Sequence, residues 1–196
     1  MGAPETTTSL RARSKARRRE LIRRTAMRLF AERGYDSTTI ADIAAEAEVA
    51  PRTVTMYFAS KQDIAMSVQD ELAGRLSAVF RETPDMGFLE AVDRWLLAEV
   101  EHLDPELTAL AADMFETNPP LRSSSAAVFA EVSALAGPAF RKDVNLPSGH
   151  PLARVIGAAT GAAISQYLIT SLHSPDQPAL HGAFMHTLEV LIRSGS

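Results

Sequence analysis

The chain contains no cysteine. A disulfide framework and a thiolate metal site are therefore excluded, and the absence fits a cytosolic protein. Long apolar runs are missing too. The longest, Val155–Ile164, is broken by Thr160 and is too short to span a bilayer. No signal peptide is visible. From Met86 onward the alternation of Val, Ile and Thr that marks strands does not occur, and the fold class expected is all-α. Catalytic patterns are equally scarce. There is no Gly-x-Ser-x-Gly, no Walker sequence and no Rossmann glycine run. The histidines, His102, His150, His173, His181 and His186, are scattered. His181 and His186 stand five apart and do not share a helical face, and there is no His-Glu-x-x-His. Carboxylates beyond the N-terminal third stand singly, as on a solvated surface. No catalytic residue, metal ligand or cofactor is expected, and the chain does not read as an enzyme.

What is present is an uneven distribution of charge. The net charge of −4 conceals two halves of opposite sign. Residues 1–61 hold 12 Lys+Arg against 7 Asp+Glu, a balance of +5, and residues 62–196 hold 8 against 17, a balance of −9. A basic end on an acidic body points to a polyanion that meets only the first part. Within that part Arg11, Arg13, Lys15, Arg17, Arg18 and Arg19 crowd together. They read either as a solvated helix start or as an arm that lies on phosphate or enters a minor groove.

The stretch Thr38–Lys61, TTIADIAAEAEVAPRTVTMYFASK, carries the most information. Thr39 suits an N-cap, with Asp42 three residues on to complete a capping box. Ile40, Ile43, Ala44 and Ala47 then give one apolar face at helical spacing. Pro51 suits the first position of a second, short helix reaching Phe58, since a residue there has no helical partner for its N–H. Val54 and Phe58 point to the core, which leaves Arg52, Thr53, Thr55, Met56 and Tyr57 on the sides and the far face. Ser60 caps a third helix, with Asp63 at its third position. Two readings fit. One is a small helical hairpin with a solvated face. The other is a helix-turn-helix, in which Arg reads guanine edges, Thr and Met touch thymine methyls and Tyr reaches phosphate.

With its preceding residues the stretch reads LFAERGYDSTTIADIAAEAEVAPRTVTMYFASKQDI, and in this form it resembles the N-terminal domain of the TetR family of bacterial transcriptional regulators. The specific likeness covers Leu21 to Ile64; the rest is similar only in length and helical content. Two positions depart from the family pattern. Glu48 stands where the turn usually has Gly, so a left-handed residue is expected there at a cost of about 1–2 kcal/mol. Thr55 stands where the recognition helix usually has an aromatic, which leaves the operator sequence open. The resemblance implies DNA contacts at Thr39, Pro51, Arg52, Thr53, Thr55, Met56, Tyr57 and Lys61, with Thr39, Tyr57 and Lys61 on phosphate.

About nine helices are expected. The first runs from about Lys15 to Arg33, with Ile22, Ala26, Leu29 and Phe30 inward and Arg23, Arg24 and Arg28 outward. Gly34 ends it as a left-handed cap. The helix from Ser60 to about Arg81 is long enough to leave the DNA end and enter the body. Further helices are expected at about 88–103, 105–116, 121–142, 151–172 and 179–193, with Gly137-Pro138 breaking or kinking the third of these. The division expected is a basic arm over 1–14, a DNA-binding domain over 15–61 and a ligand-binding and dimerisation domain over 62–196.

By the same resemblance the last two helices pair with a second subunit, and Gly157 and Gly161, four apart, would let a helix approach closely. Trp95, His102, Met114, Phe115, Arg122, Phe129 and Tyr167 lie on helices that the family arranges around a ligand cavity. Each of them also fits ordinary core or surface. The function implied is a cytoplasmic homodimeric regulator, a repressor released from a near-palindromic operator on duplex DNA by a small-molecule effector. An activator or a ligand-independent regulator is the alternative within the class. A helical enzyme or interaction module whose hairpin only packs is the alternative outside it.

Overall fold

The computed structural model describes residues 5–121, 128, 130–144, 146–147, 150–171, 174 and 176–193. Arg122, Phe129 and His173 lie outside the described residues, as does most of the first part of the helix expected over 121–142. The described helices are α1 (Glu5–Arg33), α2 (Ile40–Glu46), α3 (Pro51–Tyr57), α4 (Lys61–Glu82), α5 (Phe88–His102), α6 (Pro105–Thr117), α7 (Ala130–Val144), α8 (Pro151–Ser171) and α9 (Gln177–Arg193). No strand occurs among the described residues, and the protein is all-α. No described helix is long and apolar enough to cross a membrane.

Two compact units are present, residues 1–69 with 109–125 and residues 70–108 with 126–196. The boundary falls inside α4 and again inside α6, so the second half of α6 belongs with the N-terminal helices. In the first unit α2 packs on α1 and on α3. Its core is Ile22, Ala26, Met27, Leu29 and Phe30 of α1 with Ile43, Val54, Phe58 and Ile64. α1 starts at Glu5 rather than near Lys15, so the cations from Arg11 to Arg19 ride on helix instead of a separate arm. Arg23 was expected to face outward but is buried, and its guanidinium donates to Glu20 at 2.6 and 3.0 Å. Gly34 closes α1 at φ 89°, as its place after the last periodic residue implies.

In the second unit α9 packs on α5, α7 and α8, and α7 also touches α5 and α8. Phe88 bridges α4 and α7: it stacks on Phe80 at 6.0 Å and meets Phe140 edge-on at 5.1 Å. Gly87 cannot cap α5 with a side chain. Asp143 of α7 does so instead, accepting the Leu89 N–H at 3.1 Å. Glu99 is buried, and both its oxygens accept from Arg75 of α4, at 2.6 and 2.7 Å. Pro138 neither ends nor breaks α7. The carbonyl left without an N–H partner is that of Ala134, and both residues lie on the exposed face, open to solvent.

Candidate nucleic-acid interface

The site is built outward from two capped helix starts. The Thr39 hydroxyl accepts the Asp42 N–H at 3.1 Å, and the Asp42 carboxylate accepts the Thr39 N–H at 2.8 Å. The Thr39 hydroxyl also donates to that carboxylate at 2.5 Å, and these two bonds to it, the hydroxyl's foremost and then the backbone N–H's, hold the Asp42 carboxyl below its usual value. Ser60 and Asp63 repeat half of this pattern at the start of α4: the Ser60 hydroxyl accepts the Asp63 N–H at 3.1 Å and donates to its carboxylate at 2.9 Å. Between them the turn passes through Glu48 at φ 52°, the left-handed residue that its position demands. Pro51 opens α3 at its first turn.

α3 has two faces. Val54 and the following Phe58 are buried, and the Arg19 guanidinium of α1 lies 4.7 Å over the Phe58 ring. Opposite them Arg52, Thr55 and Met56 are exposed, Met56 to 70 % of its surface. The Thr55 hydroxyl donates back to the Arg52 carbonyl at 3.1 Å, which leaves its methyl and lone pairs outward. Thr53 and Tyr57 are half-buried on the flanks, and Pro51 and Thr39 are exposed at the two helix starts.

Lys61 is more occupied than its sequence position suggests. It is half-buried, its Nζ donates to the carbonyls of Tyr35 at 2.6 Å and Thr38 at 2.9 Å, and it sits 4.2 Å from the centre of the Tyr35 ring. An ammonium has three protons, so one remains for a phosphate. The segment Leu10–Leu21 of α1 presents an open groove of about 480 Å³ lined by Leu10, Arg13, Ser14, Arg17, Arg18 and Leu21.

Residues 22–68, which include this whole arrangement except the N-terminal cations, match the pattern described as bacterial regulatory proteins, tetR family. Over these residues the chain is similar to the TetR family. The curated relatives agree over the same region. The HTH-type transcriptional regulator TcmR of Streptomyces glaucescens is 43 % identical over 58 residues, covering 30 % of this chain and 26 % of TcmR. The uncharacterized HTH-type regulator YuxN of Bacillus subtilis (strain 168) is 39 % identical over 49 residues, covering 25 % and 17 %. The chain thus matches only about a quarter or less of the length of these relatives. Two solved structures extend the likeness to the whole fold. FadR of Thermus thermophilus, a TetR family transcriptional repressor in complex with lauroyl-CoA, superposes with a TM-score of 0.56 at 21 % identity, over 90 % of this chain and 94 % of FadR. PfmR, a TetR family transcriptional regulator also from Thermus thermophilus, gives 0.54 at 18 % identity, over 88 % of this chain and 97 % of PfmR.

The candidate ligand residues fall into separate groups. Trp95 and Tyr167 are buried in the second unit, and His102 is exposed at the end of α5, its Nδ1 donating to the Ala98 carbonyl at 2.6 Å. Met114 and Phe115 belong to the first unit. The Tyr167 hydroxyl is already engaged, 2.9 Å from His181 Nδ1, with His181 Nε2 2.7 Å from Asp93 and the Tyr167 ring stacked on Phe184 at 4.3 Å. With Nε2–H directed to the Asp93 carboxylate, Nδ1 is left to accept the phenol O–H. Burial, and then the Asp93 charge, push the Tyr167 phenol up. Trp95 differs: it is 2 % exposed, and its indole N–H meets no acceptor among the described residues.

The chain of hydrogen bonds joining Asp93, His181 and Tyr167 was not legible in sequence, because its members lie on three helices far apart in the chain. Asn118 was also missed. It reads only as a separator before Pro119-Pro120, yet it is buried in the first unit against the end of α1.

Proposed function

We propose that the protein is a DNA-binding transcriptional regulator that acts as a homodimer on a near-palindromic duplex site, a repressor released by a small-molecule effector. The observation that carries the DNA-binding reading is the division of α3, with Val54 and Phe58 buried while Arg52, Thr55 and Met56 stand free of the core. An element of about two turns that merely packed would have no need of that outward set. Arg52 and Thr55 meet base edges, and Thr39, Tyr57 and one proton of Lys61 meet phosphate. The cations from Arg11 to Arg19 add backbone contacts.

Dimerisation is supported by the exposed face of α8 and α9, where Leu152, Val155, Ala158, Ala159, Ala162, Ala183 and Val190 lie open in the single chain. One recognition helix reads only a few base pairs, and a symmetric dimer doubles the site. The effector reading is supported by the orphaned Trp95 N–H and by the fold shared with FadR, whose solved complex holds lauroyl-CoA. An effector with an apolar body and an acceptor oxygen would satisfy that N–H. Selection from a random duplex pool tests the function. It should enrich two inverted half-sites whose centres lie about 34–36 Å apart along the duplex. A pool that stays random after repeated selection would exclude sequence-specific regulation.

A further inference from the structure

We infer that Asn118, at the end of α6, is a positioning residue for DNA binding: its amide fixes the link between α1 and α2 and, through that link, the Lys61 ammonium. The inference rests on the DNA-binding reading above. Asn118 is 9 % exposed. Its Oδ1 accepts the Tyr35 N–H at 2.7 Å, and its Nδ2 donates to the Phe30 carbonyl at 2.9 Å and the Met114 carbonyl at 2.8 Å. The Thr117 hydroxyl lies 3.0 Å from the same nitrogen. All of these groups are in the first unit.

The chemistry explains why an amide sits there. At the end of α1 the Gly34 N–H reaches the Phe30 carbonyl at 3.1 Å, and the next N–H, that of Tyr35, is supplied with an acceptor by Asn118. A half-buried N–H and two buried carbonyls require one acceptor and two donor protons on a single planar group, which neither a carboxylate nor a hydroxyl of the same reach offers. On its other side the same link holds Lys61, since the carbonyls of Tyr35 and Thr38 accept from Nζ and the Tyr35 ring lies against it. Residues 34–38 are therefore clamped between the Asn118 amide and the Lys61 ammonium. The link leads directly into Thr39, the cap of α2. Without the amide the link gains freedom, the two carbonyls cease to aim Nζ, and the proton left for phosphate loses its direction.

The test is a double-mutant cycle on the full chain, with Asn118→Ala, Lys61→Ala and the pair, read as affinity for a pool-selected duplex and for an unrelated duplex over a range of salt. Asn118→Ala should bind both duplexes about tenfold more weakly, with their ratio unchanged. Its salt slope should fall by about one, as for Lys61→Ala. The pair should bind no more weakly than Lys61→Ala alone. A purely structural role would lower the melting temperature without producing this non-additivity. Wild-type affinity in folded Asn118→Ala, or losses that multiply in the pair, would overturn the assignment. If circular dichroism shows Asn118→Ala unfolded, Asn118→Asp replaces it in the cycle. That variant keeps the acceptor for Tyr35 and sets an oxygen against the two carbonyls, and the same outcomes decide. A wild-type chain that binds no duplex would overturn the DNA-binding reading itself, which is a different result from a wild type that binds and an Asn118→Ala that binds equally well.

Discussion

The side chains that carry the interface divide between those free to read and those already engaged. Arg52 is exposed at the start of α3, where a guanidinium can meet a guanine edge. Arg52→Ala should therefore cost about 1–3 kcal/mol on the selected duplex and relax its sequence preference, whereas equal losses on selected and unrelated DNA would remove it from base readout. Lys61→Ala has a mixed outcome, because the ammonium also ties down two carbonyls of the α1–α2 link. It should weaken binding to every duplex and also lower the melting temperature. Glu48 holds a left-handed φ of 52° with an exposed side chain. A side chain in that conformation costs about 1–2 kcal/mol and glycine does not incur it, so Glu48→Gly should leave the unfolding free energy unchanged or raise it by up to about 1 kcal/mol after glycine's own entropy cost. A clear loss in denaturant titration would mean that the carboxylate has an unrecognised partner. Asp42 sets a pH dependence. Its folded pKa lies below the unfolded value of 3.8, so its contribution is complete well above pH 3.8 and is lost as the pH falls from there through the folded value. Asp42→Asn should flatten the acid limb of the stability curve, and an unchanged acid limb would show that the capping box does not contribute to it.

At the scale of helices the sequence was legible wherever a boundary had its own chemistry. Thr39 with Asp42, Pro51, Ser60 with Asp63, and Gly34 are local signals, and each sits in the structure where its chemistry placed it, while the left-handed Glu48 was implied only by the family resemblance. Signals that depend on the opposite face of a helix were not readable. Leu188 and Ile192 belong to an apolar stripe of α9 that suits an interface and a core equally. They are buried within the single chain, and Phe184 stacks on Tyr167. The open residues are Val155 of α8 and Val190 of α9, exposed to 62 % and 55 %. Gly157 faces the Phe140 ring, where an added Cβ would lie 3.6 Å from it, while Gly161 faces open space. The substitutions that probe assembly are therefore Val155→Glu and Val190→Glu. Each should yield a helical monomer in sedimentation, by burying an unpaired carboxylate at the subunit contact. Leu188→Glu should unfold the chain instead. Two variants that sediment as the wild type does would move the subunit contact away from this face. The buried Glu99 makes a parallel case. Arg75→Leu leaves its carboxylate without its bidentate partner and should cost about 3 kcal/mol, measured by denaturant unfolding.

At the scale of the whole molecule the charge asymmetry, the match of residues 22–68 to the tetR pattern and the shared fold point the same way. The basic end carries the residues proposed to meet DNA, and the second helical unit has a buried indole N–H with no acceptor among the described residues. The family pattern was legible because recognising a duplex needs specific side chains at fixed positions. The proposed effector site was not, because an apolar pocket and an apolar core use the same residues, and the candidates that lie among the described residues are divided between the two units. Linkage constrains any inducer: it must bind the DNA-free dimer more tightly than the DNA-bound one, typically by about 1–3 kcal/mol. The single tryptophan gives a direct readout, since a ligand that satisfies its N–H should change its fluorescence in the free protein. The most direct test of the DNA-reading role is the affinity of the full chain for its pool-selected duplex against a scrambled duplex of equal length, measured across a range of salt. A sequence-reading dimer should prefer the selected duplex by about a thousandfold or more, and its affinity should fall steeply and linearly on a log–log plot as salt rises. Equal affinity for the two duplexes, or no dependence on salt, would contradict it.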